Sequence, residues 1–230
     1  MTLKNKQVSV LFMLLVALFT LCLTAANLFA TKQITIGPAN FTGALLVFPI
    51  SYIINDVVAE VYGFRRARLL IWLAFGMNAF FVLMGALVDV IPGAGWWLET
   101  PAGQGFHAIF GLAPRIVLAS FLAFLVGSFV NAAVLSKMKV ASGGRRFPLR
   151  AIVSTLAGEA CDSVIFFPIA LLGIVPLEQM PKFVVWQVTL KTLYEIVILP
   201  VTVRVVKTVK RVEETDVFDV NIKYRLFRYP

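Results

Sequence analysis

Six continuous apolar stretches, each about as long as a bilayer crossing requires, constrain this chain more than any other feature. They fall at residues 8–29, 43–62, 69–91, 116–135, 151–175 and 183–206. Runs such as residues 11–23 and 116–126 do not alternate in polarity, so they do not read as strands of a membrane barrel. They read as helices, which satisfy their own backbone groups in lipid. Of all residues 60% are hydrophobic and only 14% are charged. A soluble globule of this size cannot bury that much apolar surface, and a disordered chain is excluded as well. The expected fold is an all-α polytopic membrane protein with six transmembrane helices. The expected organisation is a single six-helix domain over residues 1–206 and a short basic cytoplasmic tail over residues 207–230.

Lys4 and Lys6 precede the first stretch, as in a signal peptide. Its apolar core is too long for that, and more spans follow, so it reads as a retained first helix. The basic residues take one side. Lys4 and Lys6, Arg65, Arg66 and Arg68, then Lys137, Lys139, Arg145, Arg146 and Arg150, then Arg204, Lys207, Lys210, Arg211, Lys223, Arg225 and Arg228 make 17 of the 21. The opposite loops hold Lys32, Arg115 and Lys182, and Lys191 lies inside the sixth span. By the positive-inside rule both termini face the cytoplasm. The +9 formal charge is then a topology signal and not a nucleic-acid footprint.

Ionisable side chains at bilayer depth are costly and mark function by default. Three spans carry them in pairs: Asp56 and Glu60, Glu159 and Asp162, Lys191 and Glu195. Spacings of three or four place each pair on one helix face. At 1.5 Å per residue, Asp56, Asp162 and Glu195 lie about 14–18 Å deep, near the midplane. Lys191 is the one cation among them and cannot neutralise the acids, although a purely structural ion pair remains a competing reading for Lys191 itself. A cavity lined by acceptors suits a solute rich in N–H donors, or a cation. Pro49, Pro168 and Pro200 interrupt the same three spans. Asn27, Asn55, Asn78 and Asn131 add amides at or within spans. The middle span of each half carries two acids and a proline, and two three-span halves must be inverted relative to each other, as in many transporters. The loop 92–114 opens on a turn before Trp96 and Trp97 and has room for an amphipathic segment near residues 104–110. Residues 141–144 read as a flexible loop.

Cys22 and Cys161 lie in apolar runs and form no disulfide framework or metal cluster. No HExxH, GxSxG or Walker sequence is present, so the reading is not an enzyme, with no cofactor and no metal.

Three segments resemble one family. Residues 158–171, GEACDSVIFFPIAL, resemble the signature segment of the queuosine precursor transporters, a vitamin-uptake-like family of integral membrane proteins. Residues 48–63, FPISYIINDVVAEVYG, and 191–200, KTLYEIVILP, do so too, and Asn27 fits a polar position late in the first helix. The resemblance spans residues 10–206. It implies six helices and import of 7-cyano-7-deazaguanine and 7-aminomethyl-7-deazaguanine across the bacterial inner membrane. With the depths and spacings above, the substrate site is expected between helices 1, 2, 5 and 6, at Asn27, Asp56, Glu60, Glu159, Asp162, Lys191 and Glu195. Phe166, Phe167 or Tyr52 is then available to stack on the base. Some members resemble substrate-binding subunits, which leaves an energising module open as a partner, beside membrane lipid and a homo-oligomer. Import of another small heterocycle or vitamin, and a non-transporting structural or receptor role, remain the alternatives.

Overall fold

The computed structural model describes residues 9–29, 32–36, 39–110, 114–171, 178, 180–222 and 224. Six long helices follow the six apolar stretches in order: α1 (Val10–Phe29), α2 (Phe48–Tyr62), α3 (Phe64–Val90), α6 (Pro114–Ala141), α7 (Phe147–Leu171) and α8 (Met180–Glu213). Two short helices, α4 (Gly95–Leu98) and α5 (Pro101–Phe110), fill the loop where an amphipathic segment was expected. Among the described residues four helices are long and apolar enough to cross a membrane, within α1, α3, α6 and α7. The spanning architecture is that of a helical, multi-pass membrane protein.

Several boundaries differ from expectation, each for a physical reason. The helix expected over residues 43–62 starts at Phe48, after a 3₁₀ turn (Gly43–Leu46). Pro49 sits in the first turn of α2, where its missing N–H costs nothing, so it begins this helix and does not interrupt it. Pro168 and Pro200 lie inside α7 and α8, which continue as helix through both. The arginines of residues 65–68 form no loop: α3 begins at Phe64, its first amide donating to the distant Asp219 carboxylate at 2.7 Å. Only Gly63, at φ 83°, separates α2 from α3. A β-carbon there would meet Val217 at 2.8 Å and Asp219 at 3.0 Å. The all-α expectation also needs a small correction. After α1 the chain makes a two-stranded antiparallel hairpin, β1 (Gln33–Ile36) and β2 (Ala39–Thr42), with Ile36 opposite Ala39.

The short α2 is the axis of the bundle. It touches α1, α3, α6 and α8, and from residue 51 to 62 every side chain but Ile53 is buried. A helix surrounded on all sides tolerates polar residues only where neighbours satisfy them. The outer helices instead expose apolar stripes. On α3, Leu69, Leu73, Met77, Phe80, Met84 and Leu87 recur at helical spacing and are exposed. Such a patch is a liability in water and a match to lipid. The closest crossing is α6 on α7. A β-carbon on Gly158 would lie 2.8 Å from the Gly127 carbonyl oxygen and 3.0 Å from Asn131 Cβ. Small residues at a helix crossing let backbones meet this way in membranes.

Candidate solute-binding site

α6 packs on both α2 and α7, and α8 packs on the same two helices. A crevice forms among α2, α7 and α8. Its walls are Pro49, Tyr52 and Ile53 from α2, Thr155 and Glu159 from α7, and Lys191, Glu195 and Ile198 from α8. The helical period explains the set: Thr155 and Glu159 are one turn apart, as are Lys191, Glu195 and, a turn on, Ile198. The Lys191 ammonium lies 2.7 Å from Glu159 Oε2 and 3.4 Å from Asp162 Oδ2. Glu195 is buried beside Thr155 and Asp56. Its Oε2 makes no hydrogen bond of good geometry among the described residues. Asp56 accepts a 2.9 Å hydrogen bond from the Asn131 amide of α6. Neighbouring Asn55 donates to the Ser128 carbonyl at 3.3 Å.

The structure therefore gathers five of the seven sequence-derived residues: Asp56, Glu159, Asp162, Lys191 and Glu195. The other two lie elsewhere. Asn27 donates to Asn78 of α3 at 3.1 Å, and no residue of α1 lines the crevice. Glu60 sits in a second cluster at the end of the bundle where the basic residues collect. There Arg150 grips it with two bonds, Nη1 to Oε2 at 2.6 Å and Nη2 to Oε1 at 3.0 Å. Lys210 reaches Oε1 at 2.8 Å, and Lys139 lies 3.9 Å away. Both lysines also bind Asp216, beyond α8. Burial pushes the Asp216 carboxyl up, but the hydrogen bonds from Lys139 and Lys210 outweigh it and hold it below the usual carboxylate range.

Sequence reasoning missed Thr155, although its place one turn before Glu159 on the same face was a usable signal. Arg150 and Lys139 counted only as loop charges, yet both are about 1% exposed. Tyr52 lines the crevice, whereas Phe166 and Phe167 pack edge-to-face on each other and are not part of its wall. The free space in the crevice is about 10 Å³. That admits about one water molecule, so the crevice is nearly closed.

Helices that span a bilayer around a short buried helix, with four carboxylates and a lysine converging inside, define a multi-pass membrane protein with an internal charged site. A family model described as "Putative vitamin uptake transporter" matches residues 42–205, and the chain belongs to that family. The family is one of transporters and not of enzymes. The matched region contains all six charged residues singled out from the sequence. A "Probable queuosine precursor transporter" of Bacillus subtilis (strain 168) is 29% identical over 161 residues, 66% of either chain. A "Queuosine precursor transporter" of Escherichia coli (strain K12) is 28% identical over 151 residues, 65% of this chain and 64% of that one. The chain thus matches a little under two thirds of the length of these relatives. No solved structure matches it.

Proposed function

We propose that this protein imports 7-deazaguanine bases, the precursors of queuosine, and holds them between α2, α7 and α8. The observation that carries this reading is the converging set Asp56, Glu159, Asp162, Lys191 and Glu195, in which one lysine faces four acids. Carboxyl groups in such surplus at bilayer depth call for further donors. The guanine edge of these bases presents adjacent N–H donors, which a carboxylate accepts in bidentate fashion. Its ring oxygen accepts from Lys191, and Tyr52 offers a ring face. The two relatives named as queuosine precursor transporters support the choice of solute.

A flat bicyclic base is far larger than a space of about 10 Å³. Admission therefore requires α2, α7 and α8 to separate, as alternating access does around a fixed site. We take α2 and α8 as further crossings, which makes six, with both termini on the cytoplasmic side of the inner membrane. In support, the start of α1, the α2–α3 junction, the α6–α7 turn and the end of α8 all meet at the basic end. Ser9 bonds Glu213, and Arg66 stacks over Phe12. The two three-helix halves then run in opposite senses, with α2 and α7 as the acid-bearing middle helices.

The test is uptake of labelled 7-cyano-7-deazaguanine by cells unable to make the base. Expression of this chain is expected to restore base uptake and queuosine in transfer RNA. No uptake by a correctly inserted protein would refute the reading, and uptake of an unrelated heterocycle in its place would redirect it.

A further inference from the structure

The residues after α8 do not trail away from the bundle. The backbone N–H of Val217 donates to the Val61 carbonyl at 3.0 Å, at the last turn of α2. The Asp219 carboxylate is buried and accepts from the Phe64 amide, at the head of α3, and from the Ser136 hydroxyl of α6. Ser136 also meets the Tyr224 hydroxyl at 3.0 Å. Lys139 donates to the Val217 carbonyl at 2.7 Å and lies 4.6 Å from the Phe218 ring centre. Asp216 joins Lys139 and Lys210, which both face Glu60. One short segment thus ties α2, α3, α6 and α8 together at the basic end. Arg150 brings in α7 through the same Glu60 and fastens the α6–α7 turn through the Gly144 and Arg145 carbonyls.

The position of this knot gives it a consequence. Glu60 is one turn from Asp56 on the same face of α2, with Asp56 beside Glu195 of the crevice. A motion that opens the crevice toward the basic end parts α2 from α6, α7 or α8 there, and at that end Glu60 and the segment behind it join these helices, while Asn131 on Asp56 and Asn55 on Ser128 hold α2 to α6 deeper in the bundle. Beside the apolar packing of Val61, Phe64 and Tyr224, the clasp itself is polar: Asp216 and Lys210 reach the surface, so their ion pairs are exchangeable bonds. That is the make-up of a bistable closure.

We propose that residues 215–222, clasped by Lys139 and Lys210 and hinged on Glu60 and Arg150, are a strap that closes the basic end of the solute path and must release for the crevice to open there. The direction of release, into the cytoplasm, rests on the transport reading above; the closure itself does not.

Two measurements test it. The first needs no solute. Ile198 lines the crevice and is itself apolar. In a background with Cys22 and Cys161 replaced by alanine, Ile198→Cys is labelled with a membrane-impermeant thiol reagent in vesicles of both orientations. Slow labelling from the basic side is expected, rising about fivefold or more in Asp216→Asn, as the loss of a half-exposed charged clasp implies. An unchanged rate in Asp216→Asn of parent-like melting temperature would overturn the proposal. Should that variant fail to fold, the second measurement decides. Val61→Cys and Val217→Cys are joined by a short bis-thiol cross-linker. The joined protein is expected to bind 7-cyano-7-deazaguanine yet lose at least nine tenths of its transport, and reduction of a cleavable linker is expected to restore it. Parent-like transport with the link intact would overturn the strap. If the parent itself neither binds nor transports the base, the transport reading fails, while the labelling result still judges the closure.

Discussion

Replacing Arg150 and Glu60 by methionine, singly and together, tests how the basic end is built. Both side chains are about 1% exposed and share two hydrogen bonds. Breaking one side of a buried pair costs about 3–5 kcal/mol, because the remaining charge stays buried. In Arg150→Met the Glu60 carboxylate keeps Lys210 at 2.8 Å, so the loss belongs at the low end, about 3 kcal/mol. In Glu60→Met the guanidinium keeps, among the described residues, the Arg145 and Gly144 carbonyls and the Phe147 ring, none of them a counter-charge, so the loss approaches about 5 kcal/mol. In the double variant neither charge remains, Lys139 and Lys210 keep Asp216, and the net cost is about 1 kcal/mol or less. For a chain of this length each kcal/mol moves Tm by about 2–4 °C. Thermal unfolding in detergent, followed by tryptophan fluorescence, is therefore expected to fall by about 6–12 °C in Arg150→Met, further in Glu60→Met, and by only a few degrees in the double. The double is also expected to bind solute, since Glu60 lies outside the crevice. Additive losses in the double, or parent-like stability in both singles, would refute the reasoning.

Further outcomes follow from other contacts. Gly158→Ala forces a β-carbon to 2.8 Å from a backbone oxygen, so α6 and α7 must part at a cost of about 1–3 kcal/mol, read as a lower Tm. Gly76→Ala, with nothing within 4 Å, is expected to leave Tm unchanged or raise it. A neutral trio, Glu159→Gln and Asp162→Asn with Lys191→Met, leaves none of these charges unpaired and is expected to keep its Tm but lose base binding; binding as tight as the parent's would make the cluster purely structural. The strap has a pH signature as well. The Asp216 carboxyl is held below its ordinary range, so its contribution is full above the unfolded value of about 3.9 and disappears as pH falls through the lowered folded value. Protection of the Val217 amide from hydrogen exchange, corrected for intrinsic rate, is expected to hold from pH 8 to 5 and to fall only below about 4. Loss of protection between pH 5 and 8 would contradict the role given to Asp216.

The parts of the fold legible in the sequence are those written in local composition. The apolar runs of α1, α3, α6 and α7 announce themselves, and the charge pairs at three- and four-residue spacing announce the acid-bearing faces. Depth and periodicity bring Asp56, Asp162 and Glu195 to one level, but the packing of α7 on α8 that joins Lys191 to Glu159 is not written in either. What stayed hidden depends on distant neighbours. Nothing near Glu60 distinguishes it from Asp56, one turn away, yet Arg150 and Lys210 claim Glu60 while Asn131 binds Asp56. Residues 141–144, expected to be flexible, are tied down through the carbonyl of Gly144 by Arg150. The strap joins residues 155 positions apart, as Asp219 does with Phe64, and no local pattern encodes such a contact. The hairpin is a milder case: Gly37-Pro38 after the β-branched Ile34-Thr35-Ile36 is a turn signal in the sequence that the apolar count overlooked.

The central claim is that the carboxylates of the crevice grip a guanine-like edge. Titration of the purified protein with 7-cyano-7-deazaguanine in a calorimeter tests it most directly, beside Glu159→Gln and Asp162→Asn variants that keep the parent's melting temperature. Saturable binding by the parent, weakened at least about tenfold in each variant, is the predicted result, since a lost charge-assisted hydrogen bond is worth about 1.5–3 kcal/mol. Equal affinity in all three proteins, or no binding by the parent, would contradict it.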